Sequence, residues 1–161
     1  MDSLHLKVFL ATCLVVNGVA AAQTLTPIEQ LGKALFFDRI SQPAASLSCA
    51  SCHAASAGWA GDIPGINLHG GVYRGAVPTR FGNRKPPTSA YSTYAPIFHH
   101  DAVAGEFVGG VFWDGRGNGQ RLGNPAAEQA LGPLLNPVEQ NMPSAQPVCE
   151  HVARSKYATL F

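Results

Sequence analysis

The chain has 161 residues, with 11 Lys and Arg against 10 Asp and Glu and a charged fraction of only 13%. So even a balance offers no basic surface for nucleic acid or an anionic membrane, and no nucleic-acid partner is expected. With 17 Gly and 12 Pro, the composition suits one loop-rich domain ordered around a large apolar cofactor.

The first residues read as a targeting segment. A weakly basic start from Met1 to Lys7 leads into the apolar run Val8 to Val16, and Ala20-Ala21-Ala22 ahead of Gln23 offers a small-residue cleavage site. Residues 1–22 are therefore expected to be a signal peptide, residues 23–161 the mature domain, and the location the periplasm. Two rivals stand beside this. A retained membrane helix would need a longer apolar run, and a lipid anchor at Cys13, making the protein surface-associated, would prefer a smaller residue than Thr12.

Further along, Thr26-Pro27-Ile28-Glu29 combines an N-cap, a Pro at the first helical position and an acid three residues after the cap, so a helix starts there with Ile28, Leu31 and Leu35 on one face. A loop through Pro43 leads to Cys49-Ala50-Ser51-Cys52-His53, the attachment signature of a c-type haem. Cys49 and Cys52 would each form a thioether with a haem vinyl group, and one helical turn would bring His53 beneath the iron as proximal ligand. A zinc site would want a second ligand pair, but the other cysteines, Cys13 and Cys149, each stand alone. One covalent haem per chain is the expectation.

The Gly- and Pro-rich stretch from Gly58 to Pro87 lacks periodicity and reads as a long functional loop. Asn124-Pro125 caps a helix running to about Leu134, Asn136-Pro137-Val138-Glu139 repeats the capping pattern, and a final helix starts near Pro147 with Cys149 as its buried thiol or, in an exported protein, as a cross-link between two chains. No strand with convincing alternation is present. The fold class is therefore mostly α, a helical haem domain with long irregular loops.

The segment Leu31-Gly32-Lys33-Ala34-Leu35-Phe36-Phe37-Asp38 ahead of Ser48 to His53 is followed by Pro86-Pro87-Thr88, Phe112-Trp113-Asp114-Gly115-Arg116, and Glu128 to Pro133 leading to Asn136-Pro137-Val138-Glu139. In this order the motifs resemble the bacterial di-haem cytochrome c peroxidases and their methylamine-utilisation-type relatives, over nearly the whole mature chain. The resemblance implies a cytochrome c-like fold whose N-terminal haem is the peroxidatic one. A second C-x-x-C-H, which in that family relays electrons from a C-terminal domain, is not in this sequence, so the chain is expected to be an N-terminal half whose partner domain is missing.

The resemblance also implies roles. Glu139 would be the distal acid–base group and Gln129, ten residues ahead, its neighbour in the pocket; Trp113 would stand between the two haems as an electron path. His69, sixteen residues after His53, would be the sixth iron ligand of the resting state; read from the residues alone, His99, His100 and Met142 are its rivals, and Arg116 meets a haem propionate or Asp114 or stands solvated. Read without the family, Glu139 is the acid of a capping box, Gln129 a solvated helix residue and Trp113 a core aromatic. Against His69, the stretch from Val72 to Asn83 is longer than usual in the family, and as a further departure extra residues occupy Gly117 to Asn124. Lys85 stands where the family has an Asn for calcium, which speaks against a calcium site.

The expected function is reduction of hydrogen peroxide with electrons from a cytochrome or a similar small redox protein, in a possible homo-oligomer or together with the missing haem domain. The alternatives are a mono-haem electron-transfer cytochrome c without peroxidase activity and an inactive truncated half.

Overall fold

The computed structural model describes residues 24–69 and 71–161; the expected signal peptide and Cys13 lie outside them. Helix α1, Pro27–Phe37, starts as its cap predicts: the Thr26 amide donates to Glu29 Oε2 at 2.7 Å and the Glu29 amide to Thr26 Oγ1 at 3.4 Å. Pro27 sits in the first turn, where a missing amide breaks no helical bond.

Leu31 is the buried residue of α1. It meets Val152 and Tyr157 near the end of the chain, with Ala34, Leu35 and Leu160 packed around them. Val152 belongs to α5, Ala145–Ala153, so the first and last helices close the apolar core between them. Each such side chain contributes about 1.5–3 kcal/mol on burial.

A polar clasp sits at the edge of this core. Asp38, which caps the C-terminus of α1, accepts a hydrogen bond from His151 Nε2 at 2.8 Å and another from the Tyr157 hydroxyl. Burial alone would raise the Asp38 carboxyl, but the bonds from Tyr157 and His151 outweigh it and hold the group below the usual carboxylate range. Burial, together with the bond to Asp38, pushes the Tyr157 hydroxyl up to about 12.

Between the two end helices the chain is mostly loop. The haem-signature residues Cys49–Ser51 form one 3₁₀ turn. The region expected to be wholly irregular contains a short helix, α2, Pro64–Leu68, started by Pro64. A hairpin that the alternation rule missed pairs β1, His99–Asp101, with β2, Glu106–Val108, antiparallel and with His100 opposite Phe107. Its strands are three residues long and mostly exposed, too short for alternation to register. The turn supplies the order instead: Asp101 Oδ1 accepts from the amides of Val103 and Ala104, and Gly105 takes φ +72.

The helix expected from Asn124 to Leu134 is in fact two. Helix α3 covers Pro125–Ala130 and α4 covers Gly132–Leu135; Pro133 has no amide to continue the ladder, so the break falls beside it. Ahead of α3, the Gly117–Asn124 stretch wraps onto the Glu128 carboxylate, which accepts from the amides of Gly119 at 3.0 Å and Leu122 at 2.8 Å. After α4, residues Asn136 to Asn141 make a single turn rather than another helix: the Glu139 and Asn141 amides both donate to the Asn136 carbonyl, and Asn141 then takes φ +57. Cys149 is in α5 but exposed, contrary to the expected buried thiol: Val152, one turn further on, is the residue of that helix that the core covers.

Removing one arm of the clasp should show its weight. Tyr157→Phe is expected to lower stability by about 1.5–3 kcal/mol, the usual loss of a hydrogen bond to a charged acceptor. Because the Asp38 carboxyl is lowered on folding, its contribution exists above the unfolded value of about 4 and disappears as pH falls through the folded value. The melting-temperature gap between the unaltered chain and Asp38→Asn should therefore be full at neutral pH and shrink below about pH 4.

Candidate functional site

The Cys49–His53 turn is tightly wound. The Cys52 and His53 amides both donate to the Cys49 carbonyl, at 3.1 and 3.0 Å, and buried Ser48 braces the start, its backbone amide donating to Ser51 Oγ at 3.0 Å. This places both sulfurs and the imidazole on one short arc.

The orientation of His53 is set from behind. Its Nδ1 lies 2.9 Å from the Pro87 carbonyl and 3.2 Å from that of Trp59. Carbonyls only accept, so Nδ1 carries the proton and Nε2 is left with its lone pair, the form of imidazole that ligates a metal. The two carbonyls are themselves fixed. Gly58 and Trp59 both take left-handed backbone conformations, φ +62 and +63, and the Trp59 carbonyl also receives the Ser89 amide at 3.0 Å. Left-handed Trp59 is a strained conformation for a residue with a side chain, of order 1 kcal/mol or more, held here by packing of its ring against Phe36 and Phe37.

On the other side of the arc stands the Asn136–Asn141 turn. Gln140 is buried, with its amide nitrogen 3.9 Å from Cys49 Sγ and its carbonyl oxygen without a protein partner. Glu139, half-buried beside it, lies close enough to His53 and Cys52 for their charges to interact. Burial pushes the Glu139 carboxyl above its ordinary range, although a hydrogen bond with the Asn136 side chain and the nearby His53 pull the other way. Burial first, and then Glu139, Cys49 and Asp62, push the Cys52 thiol up to about 11. Cys49 is raised as well, chiefly by burial.

The other residues singled out in the sequence lie elsewhere. Gln129 is half-buried in α3 and shares no hydrogen bond with Glu139. Trp113 is 100% exposed at the tip of a turn closed by the Val111–Gly117 pairing. Arg116 pairs with Asp114 at 2.5 Å and covers the Phe112 ring at 3.9 Å, so of its two expected partners the structure shows Asp114. His69 is exposed at the end of α2; His99 and His100 are exposed on β1, where His100 packs against Phe107. Met142 is buried, its amide bonded to the Leu134 carbonyl.

A family model described as di-haem cytochrome c peroxidase matches residues 26–161. The chain belongs to this family. It is 36% identical over 116 residues to the methylamine utilization protein MauG of Paracoccus denitrificans, an alignment that takes in 72% of this chain and 28% of that protein. Among solved structures, the di-haem peroxidase BthA from Burkholderia thailandensis superposes with a TM-score of 0.69 at 32% identity, over 87% of this chain and 32% of BthA. A variant of BthA with one substitution gives 0.68 at 33% identity, over 88% and 33%. The chain thus spans about a third of the length of these relatives. The mostly helical, loop-rich architecture is that of the family's cytochrome c-like fold, and the family's cofactor is c-type haem.

The residues present fit such a group. His53 offers a free Nε2, the two half-buried thiols stand one turn apart where they would add to the vinyl groups, and the buried Gln140 carbonyl oxygen has no protein partner beside Cys49. Among the described residues only seven hydrophobic side chains are buried, so a porphyrin would add much of the apolar interior.

Three contributors escaped sequence reasoning: the Pro87 carbonyl, the Trp59 carbonyl and Gln140. The first two act through the backbone, which side-chain motifs do not register. Gln140 had one available signal, its place next to Glu139.

The attachment is open to a direct test. Acidified acetone is expected to leave haem on the unaltered chain and to strip it completely from the Cys49→Ala, Cys52→Ala double variant, read by haem stain after denaturing electrophoresis.

Proposed function

We infer that the chain is the peroxide-reacting haem domain of a di-haem peroxidase-type enzyme, which reduces hydrogen peroxide with electrons from a cytochrome or similar redox protein. The observation that carries this is the placement of Glu139: a half-buried carboxyl of raised proton affinity on a turn packed against Cys49. Proton transfer is a task that an electron carrier does not perform. Peroxide reduction to two waters consumes two electrons and two protons, and one oxygen must lose a proton while the departing oxygen gains one.

Cys49 and Cys52 would hold the haem covalently and His53 Nε2 would bind its iron. The haem, when bound, supplies the electrons and the coordination position at which the O–O bond is broken. Glu139 takes the proton from the nearer oxygen and returns it to the farther one. A carboxyl whose proton affinity is raised by burial suits both halves of that transfer, taking up a proton and then giving it back. Partial burial keeps bulk water from short-circuiting the transfer.

The rest of the assignment follows in the same reading. Gln129 would join the pocket once haem is in place, and Trp113 would face the second haem domain that the length of the relatives implies. His69 would be the removable sixth ligand, and the periplasm the place of work, after loss of residues 1–22. An exposed position at the end of a five-residue helix suits a ligand that leaves.

Glu139→Gln is expected to slow the reaction of the haem-loaded chain with hydrogen peroxide by on the order of a hundredfold or more, with the Soret spectrum and helix content unchanged. An unaltered rate in Glu139→Gln sinks the assignment, and a parallel loss of folding returns Glu139 to a capping role.

A further inference from the structure

The stretch from Tyr73 to Gly82 folds back on itself as a narrow loop. Its Gly82 amide donates to the Tyr73 carbonyl, its Gly75 amide to the Arg80 carbonyl and its Arg80 amide to the Val77 carbonyl, all at 2.9 Å, and Arg74 pairs with Phe81. This is the stretch that runs longer than the family resemblance leads one to expect.

Its outward contacts converge on one target. The Ala76 amide donates to the Glu139 carbonyl at 2.7 Å. Arg80 Nη1 donates to Asn141 Oδ1 at 3.0 Å and reaches the Pro137 carbonyl at 3.4 Å. Gly75 lies so close to the Val138 and Glu139 carbonyls that a β-carbon there would collide with backbone. The loop therefore grips the chain before, at and after Glu139, and none of these contacts involves the carboxyl itself.

We propose that the Tyr73–Gly82 loop is a buckle that sets the position of Glu139 over the haem-bearing turn, with Arg80 as a positioning residue for the proton transfer assigned to Glu139. The proposal rests on that assignment. The buckle matters because the Asn136–Asn141 turn is too short to hold itself: it is one turn long and ends at a left-handed Asn141. A misplacement of about 1 Å in a reacting group costs on the order of a hundredfold in rate. Arg80 supplies two hydrogen bonds from one nitrogen to opposite ends of the turn, so its loss frees both.

The test is a double-variant cycle on the haem-loaded full chain, with Arg80→Gln and Glu139→Gln made singly and together and the rate constant with hydrogen peroxide measured for each. Arg80→Gln is expected to slow the reaction about tenfold, Arg80→Lys to restore most of the loss, and Arg80→Gln to add nothing once Glu139 is Gln. Independently of activity, deuterium exchange at the Ala76 amide should accelerate about tenfold in Arg80→Gln while the Soret band stays in place. An equal loss in both backgrounds, or no loss and no change in exchange, overturns the buckle and leaves the role of Glu139 standing. A silent Glu139→Gln overturns the functional assignment, and the buckle with it.

Discussion

The hydrogen bond from His53 Nδ1 to the Pro87 carbonyl is the constraint on which the site depends. It spans 34 residues, fixes which ring nitrogen is protonated and aims the other away from the loop that carries Pro87. The surrounding loop exists to present that carbonyl and the Trp59 carbonyl beside it: Thr88 Oγ1 donates to the Gly58 carbonyl at 2.6 Å and the Ser89 amide to that of Trp59. A region short of regular structure is thereby ordered by backbone-directed hydrogen bonds around one imidazole.

Opposite that support, the Asn136–Asn141 turn carries the acid. Three segments distant from it in sequence meet it there. The Gln42 amide donates to the Gln140 carbonyl, Asn141 Nδ2 to the Gln42 carbonyl, the Ala76 amide to the Glu139 carbonyl, and the Gln140 side chain reaches Cys49. The helices contribute at a distance: α1 and α5 close a small core, and the Asp38 clasp ties the segment leading to the haem-bearing turn to the end of the chain. Architecture and chemistry are thus divided between end helices that hold and loops that act.

Residue spacing disclosed the parts whose physics is local. The Thr26 capping box, the Cys49 to His53 signature and the start of α3 at Asn124 each depend on side chains within a few residues, and each stands where expected. Spacing failed where the deciding contact is distant or belongs to the backbone. The Asn136 to Glu139 pattern carries the cap of a helix, yet its backbone groups are claimed by Gln42 and Ala76, so it stops after one turn. The hairpin at His99 was concealed by its shortness, and Cys149 by a helix with too narrow a buried face to cover it. Of the proposed site, Glu139 and the attachment residues come together; Gln129, Trp113 and His69 lie outside that cluster among the described residues, and the roles proposed for them would depend on groups beyond it.

The most direct test is an optical titration of the haem-loaded chain with hydrogen peroxide, started from the oxidised and from the reduced protein. A rapid, stoichiometric change in the Soret band is the predicted result, since it requires an iron that peroxide can reach and a group beside it to move the proton. A six-coordinate low-spin spectrum that peroxide leaves unchanged from both starting states would contradict it and make the domain an electron carrier.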